Sequence, residues 1–330
     1  MKNRILTSLA ALSAIWITAG PAQAADELSL MAGPFGTGSY ALGNAIEQIS
    51  KKTKGAVGIV ASESPGLVFN VRKLGKEPDL KASTFTPYTT GLGYLAVNGM
   101  KPFKEKYPPA KLIANYLLGS VWLATFDPDI KSIKDLVGKR VALGRPPQIL
   151  WTVEPELLLK KGWGLHDKIT IERLGTKPAA QALLDGKVDA AIIGGYANVA
   201  SGEFKPSPQT AELMASGRTL YHIPWGKEAV QKTMDSGVGV NHLAVPKGSV
   251  IGLDAPLDGF FDAIAWVAYP EFSDDKAYKL TKMIIDNVGE FKDYHALGKL
   301  MAPETLAYGW KAENIHPGAL KAYKEAGLVD

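Results

Sequence analysis

The chain has 330 residues, no cysteine, 37 Lys and Arg against 33 Asp and Glu, and a formal net charge of +4. The absence of cysteine excludes zinc–thiolate sites, iron–sulfur clusters and cysteine nucleophiles. A near-neutral balance with no basic run gives no case for nucleic acid.

The chain opens with a targeting pattern. Lys2 and Arg4 form a basic start, residues 5–19 an apolar run, and Ala22-Gln23-Ala24 a small-residue cleavage site, so residues 1–24 read as a signal peptide cut before Ala25. That run is too short to anchor in a bilayer, and no later stretch is long and apolar enough to span one. The expected mature protein is periplasmic, soluble and monomeric. No Arg-Arg pair precedes the apolar run, which argues against export of a folded, cofactor-loaded protein, and no cofactor is expected. Losing Lys2 and Arg4 takes the charge from +4 to +2. Roughly 305 mature residues exceed what one core usually serves, so two lobes are expected.

Strand-like and helix-like runs then alternate. Strands are predicted at 28–32, 57–61, 80–85 and 112–116, with helices at 39–52, 67–74 and 88–97 between them. The pattern restarts after a capping box at Ser132–Asp135, with strands at 139–143, 169–174 and 189–193 and helices at 149–161 and 178–184. Alternation of this kind predicts βαβ units and mainly parallel sheets, two of them rather than one. Residues 260–269 are apolar and extended, and helices follow at 276–287, 290–300 and 317–326. Crossings near 119–126 and 264–269 would form a hinge, placing 25–120 and 268–330 in lobe 1 and 121–267 in lobe 2.

The strand-to-helix turns carry the candidate chemistry. Gly36, Thr37, Gly38, Ser39 and Tyr40 would present backbone amides and a helix N-terminus to an anion; the competing reading is a plain turn capped by Ser39. Gly36-x-Gly38-x-x-Ala41, with Glu63 ending the second strand, also fits a weak dinucleotide-binding pattern. Ser64, Gly66 and Asn70 follow the second strand, against a simple capped helix; Thr86 and Tyr88 follow the third, against ordinary turn residues. In the second half Arg145, one of five arginines after residue 24, could grip a carboxylate through two parallel bonds or make a surface ion pair. Gln148 lies beside it, Trp151 would wall the pocket or fill the core, and Gly195 and Tyr196 end the last strand. Trp122, on the expected hinge, would line the floor. Enzyme signatures for α/β-hydrolases, P-loop enzymes and zinc proteases are absent, and the five histidines show no ligand spacing, so no catalytic or metal site is assigned.

Several of these motifs together resemble the TAXI branch of solute receptors for TRAP transporters, which are tripartite, ATP-independent and periplasmic. Residues 36–43 are similar to that family's Gly-rich run ending in an aromatic and a glycine, and residues 64–70 to its Gly-Ser-x-x-Asn segment, with Gly-Leu in place of Gly-Ser. Residues 132–141 and 184–190 match patterns shared with ABC-type receptors, and residues 315–327 resemble the family's C-terminal helix. The resemblance implies an α/β, two-lobed type II periplasmic binding protein fold, a small anionic metabolite as ligand, and TRAP membrane permease subunits as partners. Where the family carries a turn rich in glycine and small hydroxyl residues, this chain has Gly144-Arg-Pro-Pro-Gln-Ile-Leu-Trp151. The family's glutamate and 2-oxoglutarate therefore do not transfer directly. An ABC-type receptor and an exported NAD-like oxidoreductase are the alternative readings.

Overall fold

The computed structural model describes residues 26–35, 37–53, 57–146 and 148–330. The expected signal segment and Gly36 lie outside the described residues.

Alternation builds the first strand. In β1 (Asp26–Gly33) Leu28, Leu30 and Ala32 are buried while Glu27 and Ser29 face solvent. A helical stripe follows in α1 (Gly38–Lys52), which buries Leu42, Ala45, Ile46 and Ile49. Next come β2 (Val57–Glu63), α2 (Leu67–Lys76), a short α3 (Pro78–Lys81), β3 (Thr84–Thr89) and α4 (Thr90–Asn98). The first three strands pair in parallel in the order β2-β1-β3. Tyr88, expected at the start of a helix, sits inside β3.

The expected short strand at 112–116 and the expected crossing at 119–126 are one fifteen-residue strand, β4 (Lys111–Thr125), buried at every position except Lys111. It leads into β5 (Arg140–Leu143), α5 (Val153–Leu157), β6 (Thr170–Arg173), α6 (Thr176–Leu184) and β7 (Ala190–Asn198), with β6-β5-β7 again parallel. The helix expected over 149–161 is broken into a 3-10 turn at Ile149–Trp151, α5 and a π turn at Leu158–Trp163. Pro155 contributes to the break, since it has no amide to donate.

Between 199 and 256 the sequence reading named no element, yet β8 (Glu203–Pro206), α7 (Pro208–Met214), β9 (Tyr221–Ile223), α8 (Lys227–Asp235) and β10 (Asn241–Val245) lie there. Ser207-Pro208 was a usable start signal: Ser207 accepts from the Thr210 amide and Pro208 opens α7. The chain then returns through β11 (Leu257–Ala268) to α9 (Asp274–Asn287), α10 (Phe291–Tyr294) and α11 (Pro317–Glu325). The helix expected at 290–300 stops at Tyr294, because His295 is extended and caps a separate 3-10 turn, Ala296–Leu300.

The two sheets expected from the sequence are continuous. One hydrogen-bonded ladder runs β2-β1-β3-β11-β4-β7-β5-β6, with β10, β8 and β9 paired at its sides. Strands β4 and β11 run antiparallel through both lobes, β11 pairing with β10 through residues 257–261 and with β3 through residues 264–267. Two apolar cores nevertheless form. One gathers residues up to Leu117 and from Ala265 onward, together with Ile149, and the other takes the remaining buried apolar residues from Leu118 to Ala263. The fold is therefore α/β and two-lobed, each lobe holding three parallel strands flanked by helices within a mixed sheet, with the antiparallel pair β4 and β11 joining the lobes.

The C-terminal segment closes over the first core, and Asn115 of β4 ties it down. Its Nδ2 donates to the carbonyls of Thr305 and Tyr308, both at 2.9 Å, and its Oδ1 accepts from Trp310 Nε1 at 2.8 Å. Asn115 is 1 % exposed, so removing the amide strands one buried and two part-buried hydrogen-bonding groups. Asn115→Ala is expected to cost about 2–4 kcal/mol, read as a lower denaturant midpoint at unchanged slope. A midpoint equal to wild type would show that the tail is held by its apolar contacts alone.

Candidate functional site

The loops at the C-terminal ends of β1 and β2 bind one another. Gly33 N donates to Ser64 Oγ at 3.0 Å, Ser64 N donates to Gly33 O at 3.1 Å, and Phe35 N donates to Glu63 Oε1 at 3.0 Å. Gly33 and Gly66 hold φ of 103° and 130°, which only glycine adopts without strain. Glu63 thus holds the turn beside it through one of its oxygens.

The helix cap differs from the expected one. Thr37, not Ser39, caps α1: its hydroxyl accepts from Tyr40 N at 3.2 Å and donates to Pro34 O at 2.7 Å. Ser39 Oγ is thereby released to meet Tyr116 Oη at 2.7 Å. Tyr116 sits where the β4–β11 register slips, since Leu117 faces Ile264 and Asn115 faces Ala265. Such a bulge re-aims a side chain. Tyr40 and Tyr196 both pack against the first core, although Tyr196 belongs to a second-lobe strand. Burial pushes the phenols of Tyr116 and Tyr196 up, so both act as neutral hydroxyls. Gly38 permits close packing, because a Cβ there would lie 2.8 Å from Leu297 Cδ1.

Other expected site residues are engaged within the lobes. Asn70 is fully buried and donates to Met31 O at 2.9 Å and Thr86 Oγ1 at 2.8 Å, stitching α2 to β1 and β3. Tyr88 is buried against Gly93, on the face of α4 that looks toward Asn241 and Trp310. Trp122 lies wholly inside the second core, with Nε1 donating to His222 Nδ1 at 3.0 Å and its ring on Phe204. Trp151 is also core, and Gln148 Oε1 accepts from Arg145 N at 2.8 Å to shape the turn. Gly195 lets β7 and β8 meet, as a Cβ would stand 2.0 Å from Lys205 O. Arg145 stays exposed at the end of β5, with Nε on Leu174 O at 3.3 Å. The structure therefore places Ser39 on Tyr116, whose phenol also feels Tyr196, and buries Tyr88 and Trp122 within the lobes.

A groove of about 790 Å³ opens between the lobes. Val68 of α2, Leu95 of α4, Met100 and Pro102 form one wall, and Val153 and Leu157 of α5 form the other. Pro146 and Thr152, from the turn that carries Arg145, reach it as well. None of the fifteen expected residues that are described lines it. The volume lies in the range of small-molecule sites. Lys101, Lys160, and the cluster of Glu156, Arg173 and His166 supply its charge. Arg173 grips Glu156 through two bonds at 2.7 and 2.8 Å. Among the described residues no group of three or more His, Asp or Glu side chains is placed to hold a metal ion.

At the inner edge of this region sits a pair of carboxyls that sequence reasoning missed. Asp262 of β11 is 0 % exposed, and its Oδ1 accepts from Thr90 N at 2.8 Å and from Thr90 Oγ1 at the start of α4. Glu154 of α5 is also 0 % exposed and lies over the same helix start, where a Cβ on Gly91 would stand 1.8 Å from Oε1. No N–H or cation among the described residues reaches Glu154 or Asp262 Oδ2. Burial, reinforced by the Asp262 charge, holds Glu154 well above the usual carboxylate range. Burial raises Asp262 too, against the Thr90 bonds that favour its anion. Two buried carboxyls beside one another repel as anions, which favours the state in which Glu154 keeps its proton. The signal was present in the sequence as one acid within each of two apolar runs, but nothing local said that they meet.

A raised folded-state pKa means that the contribution of Glu154 to stability is full below the unfolded value of 4.5 and is lost as pH rises through the folded value. Glu154→Gln keeps a donor and has no proton to lose. It is expected to be more stable than wild type at alkaline pH and to remove a slope of up to about 1.4 kcal/mol per pH unit. Denaturation midpoints from pH 5 to 9 that fall in parallel for the two proteins would sink this assignment.

Two solved structures share the architecture. A TctC solute binding protein from Polaromonas is 15% identical, covers 84% of this chain and 88% of its own, and superposes with a TM-score of 0.53. A Xanthomonas citri protein bound to ATP is 10% identical, covers 93% of this chain and 100% of its own, with a TM-score of 0.51. At these identities the likeness is one of fold. The sequence itself matches the model of the NMT1-like family from residue 30 to residue 327, and the chain belongs to that family.

Proposed function

We propose that this protein is an extracytoplasmic solute-binding protein that captures a small organic anion or amino acid between its lobes and delivers it to a membrane permease. The observation that carries the reading is the groove of about 790 Å³ whose walls come from both lobes. A ligand touching both walls favours the closed arrangement, because it binds that state better than the open one. The hinge is the pair of strands β4 and β11. Lobe bounds of 25–120 with 268–330, and of 121–267, are supported by the change of core at Leu117/Leu118 and at Ala263/Ala265. Export through residues 1–24 places this work in the periplasm.

The protein captures rather than catalyses, and the engagement of Glu63 by Phe35 N counts against an oxidoreductase. Resemblance to the TAXI branch favours an ion-driven TRAP permease over an ATP-driven one. Arg145, exposed beside the groove-lining Pro146, is proposed as a further carboxylate contact at the edge of the groove.

A thermal-shift screen over organic acids and amino acids tests this reading. A true ligand at a hundred times its Kd stabilises by about 2.7 kcal/mol. Arg145→Ala is expected to weaken a carboxylate ligand by roughly 1.5–3 kcal/mol by calorimetry. If no compound raises the Tm, or if the purified protein turns one over, the proposal fails. Uptake that needs ATP in reconstituted vesicles would reassign the partner to the ABC class.

A further inference from the structure

The groove has a chemistry of its own, and it differs from what a small polar metabolite requires. Val68, Leu95 and Met100 face Val153 and Leu157 across it. Thr152 is the one hydroxyl among the described residues that line it, and that hydroxyl already donates to Arg145 O at 2.8 Å. Glu156 is held by Arg173, and His166 Nε2 lies 3.5 Å from the same carboxylate, so these charges are matched within the wall. What is left is a pair of cations. Lys101 comes from the first lobe and Lys160 from the second, both are exposed, and neither makes an ion pair among the described residues. Lys160 is felt by the fully exposed carboxylate of Asp167 only as a weak attraction.

We propose that the solute is an organic acid with an apolar body, an aryl or medium-chain carboxylate, whose head is held between Lys101 and Lys160. This rests on the reading of the chain as a solute-binding protein. Apolar walls reward burial of an apolar body, whereas a dicarboxylate or amino acid would leave its remaining polar groups there without partners. One lysine from each lobe meeting a single anion also gives closure an electrostatic drive, since the anion relieves the repulsion between them. A lysine acts as a point charge and asks little of head-group geometry, so selectivity lies in the body.

Calorimetry on the purified protein, its Lys101→Met and Lys160→Met variants and the double variant tests this. Phenylacetate and octanoate are compared with succinate and glutamate, and with phenylacetamide as a neutral analogue. Methionine keeps an apolar stem at an exposed position, and equal melting temperatures without ligand verify that the variants fold. The expected result is binding of phenylacetate or octanoate tighter than succinate or glutamate, no binding of the amide, and a loss of about 10- to 100-fold for each lysine removed. Tighter binding of succinate or glutamate overturns the apolar-body proposal while leaving the solute-binding reading intact. Undiminished binding of phenylacetate and octanoate to the double variant overturns the role of the lysines. Binding of none of these carboxylates to the wild type overturns both readings.

Discussion

Everything in this molecule depends on two long strands being buried along nearly their whole length. β4 is covered at fourteen of its fifteen positions, and β11 pairs with it from Phe260 to Ala268. Because the ladder passes through them unbroken, the lobes are connected by main-chain hydrogen bonds rather than by loose linkers. The register slips beside Ile264 and between Trp266 and Val267, so the irregularity is concentrated where one core gives way to the other.

The same place carries the least expected chemistry. Asp262 enters from the hinge strand, the start of α4 from the first lobe and Glu154 from the second, and the three meet without solvent. The amides at the start of α4 would otherwise be open to an anion, and Asp262 occupies them. A fixed internal carboxylate thus closes one helix start to ligands, while the groove next to it stays open. Ile149 adds to the junction, since it lies in a second-lobe segment but is buried in the first core.

Legibility varied by the kind of feature. Helix stripes and strand alternation were readable for β1, α1, β2 and α2, because burial periodicity is written locally. Short strands β8, β9 and β10 were not, since three to five residues carry too little pattern to stand out from turns. The polar turn residues were readable as turns, but their roles were inverted. Ser64, Asn70 and Thr86 looked available for a ligand and are instead committed to one another and to the backbone. Trp122 looked like a hinge-floor aromatic and lies within the second core, because its strand is covered on both faces. The departure from the TAXI-like turn was visible, and its meaning became clear only in three dimensions. Ile149 and Leu150 fill the junction between the lobes, where Leu150 lies in the space a side chain on Gly119 would need.

By itself the sequence determined the α/β alternation, the restart that marks a second lobe, and the exclusion of cysteine chemistry. Each of these is a local property of composition, spacing or backbone preference. Tertiary structure alone decided which hydroxyls are satisfied, that two lone acids share one buried space, and that the groove between the lobes is apolar with a lysine on each side. Those outcomes depend on which surfaces are pressed together across long sequence separations, and a side chain's chemistry is set by what it is pressed against.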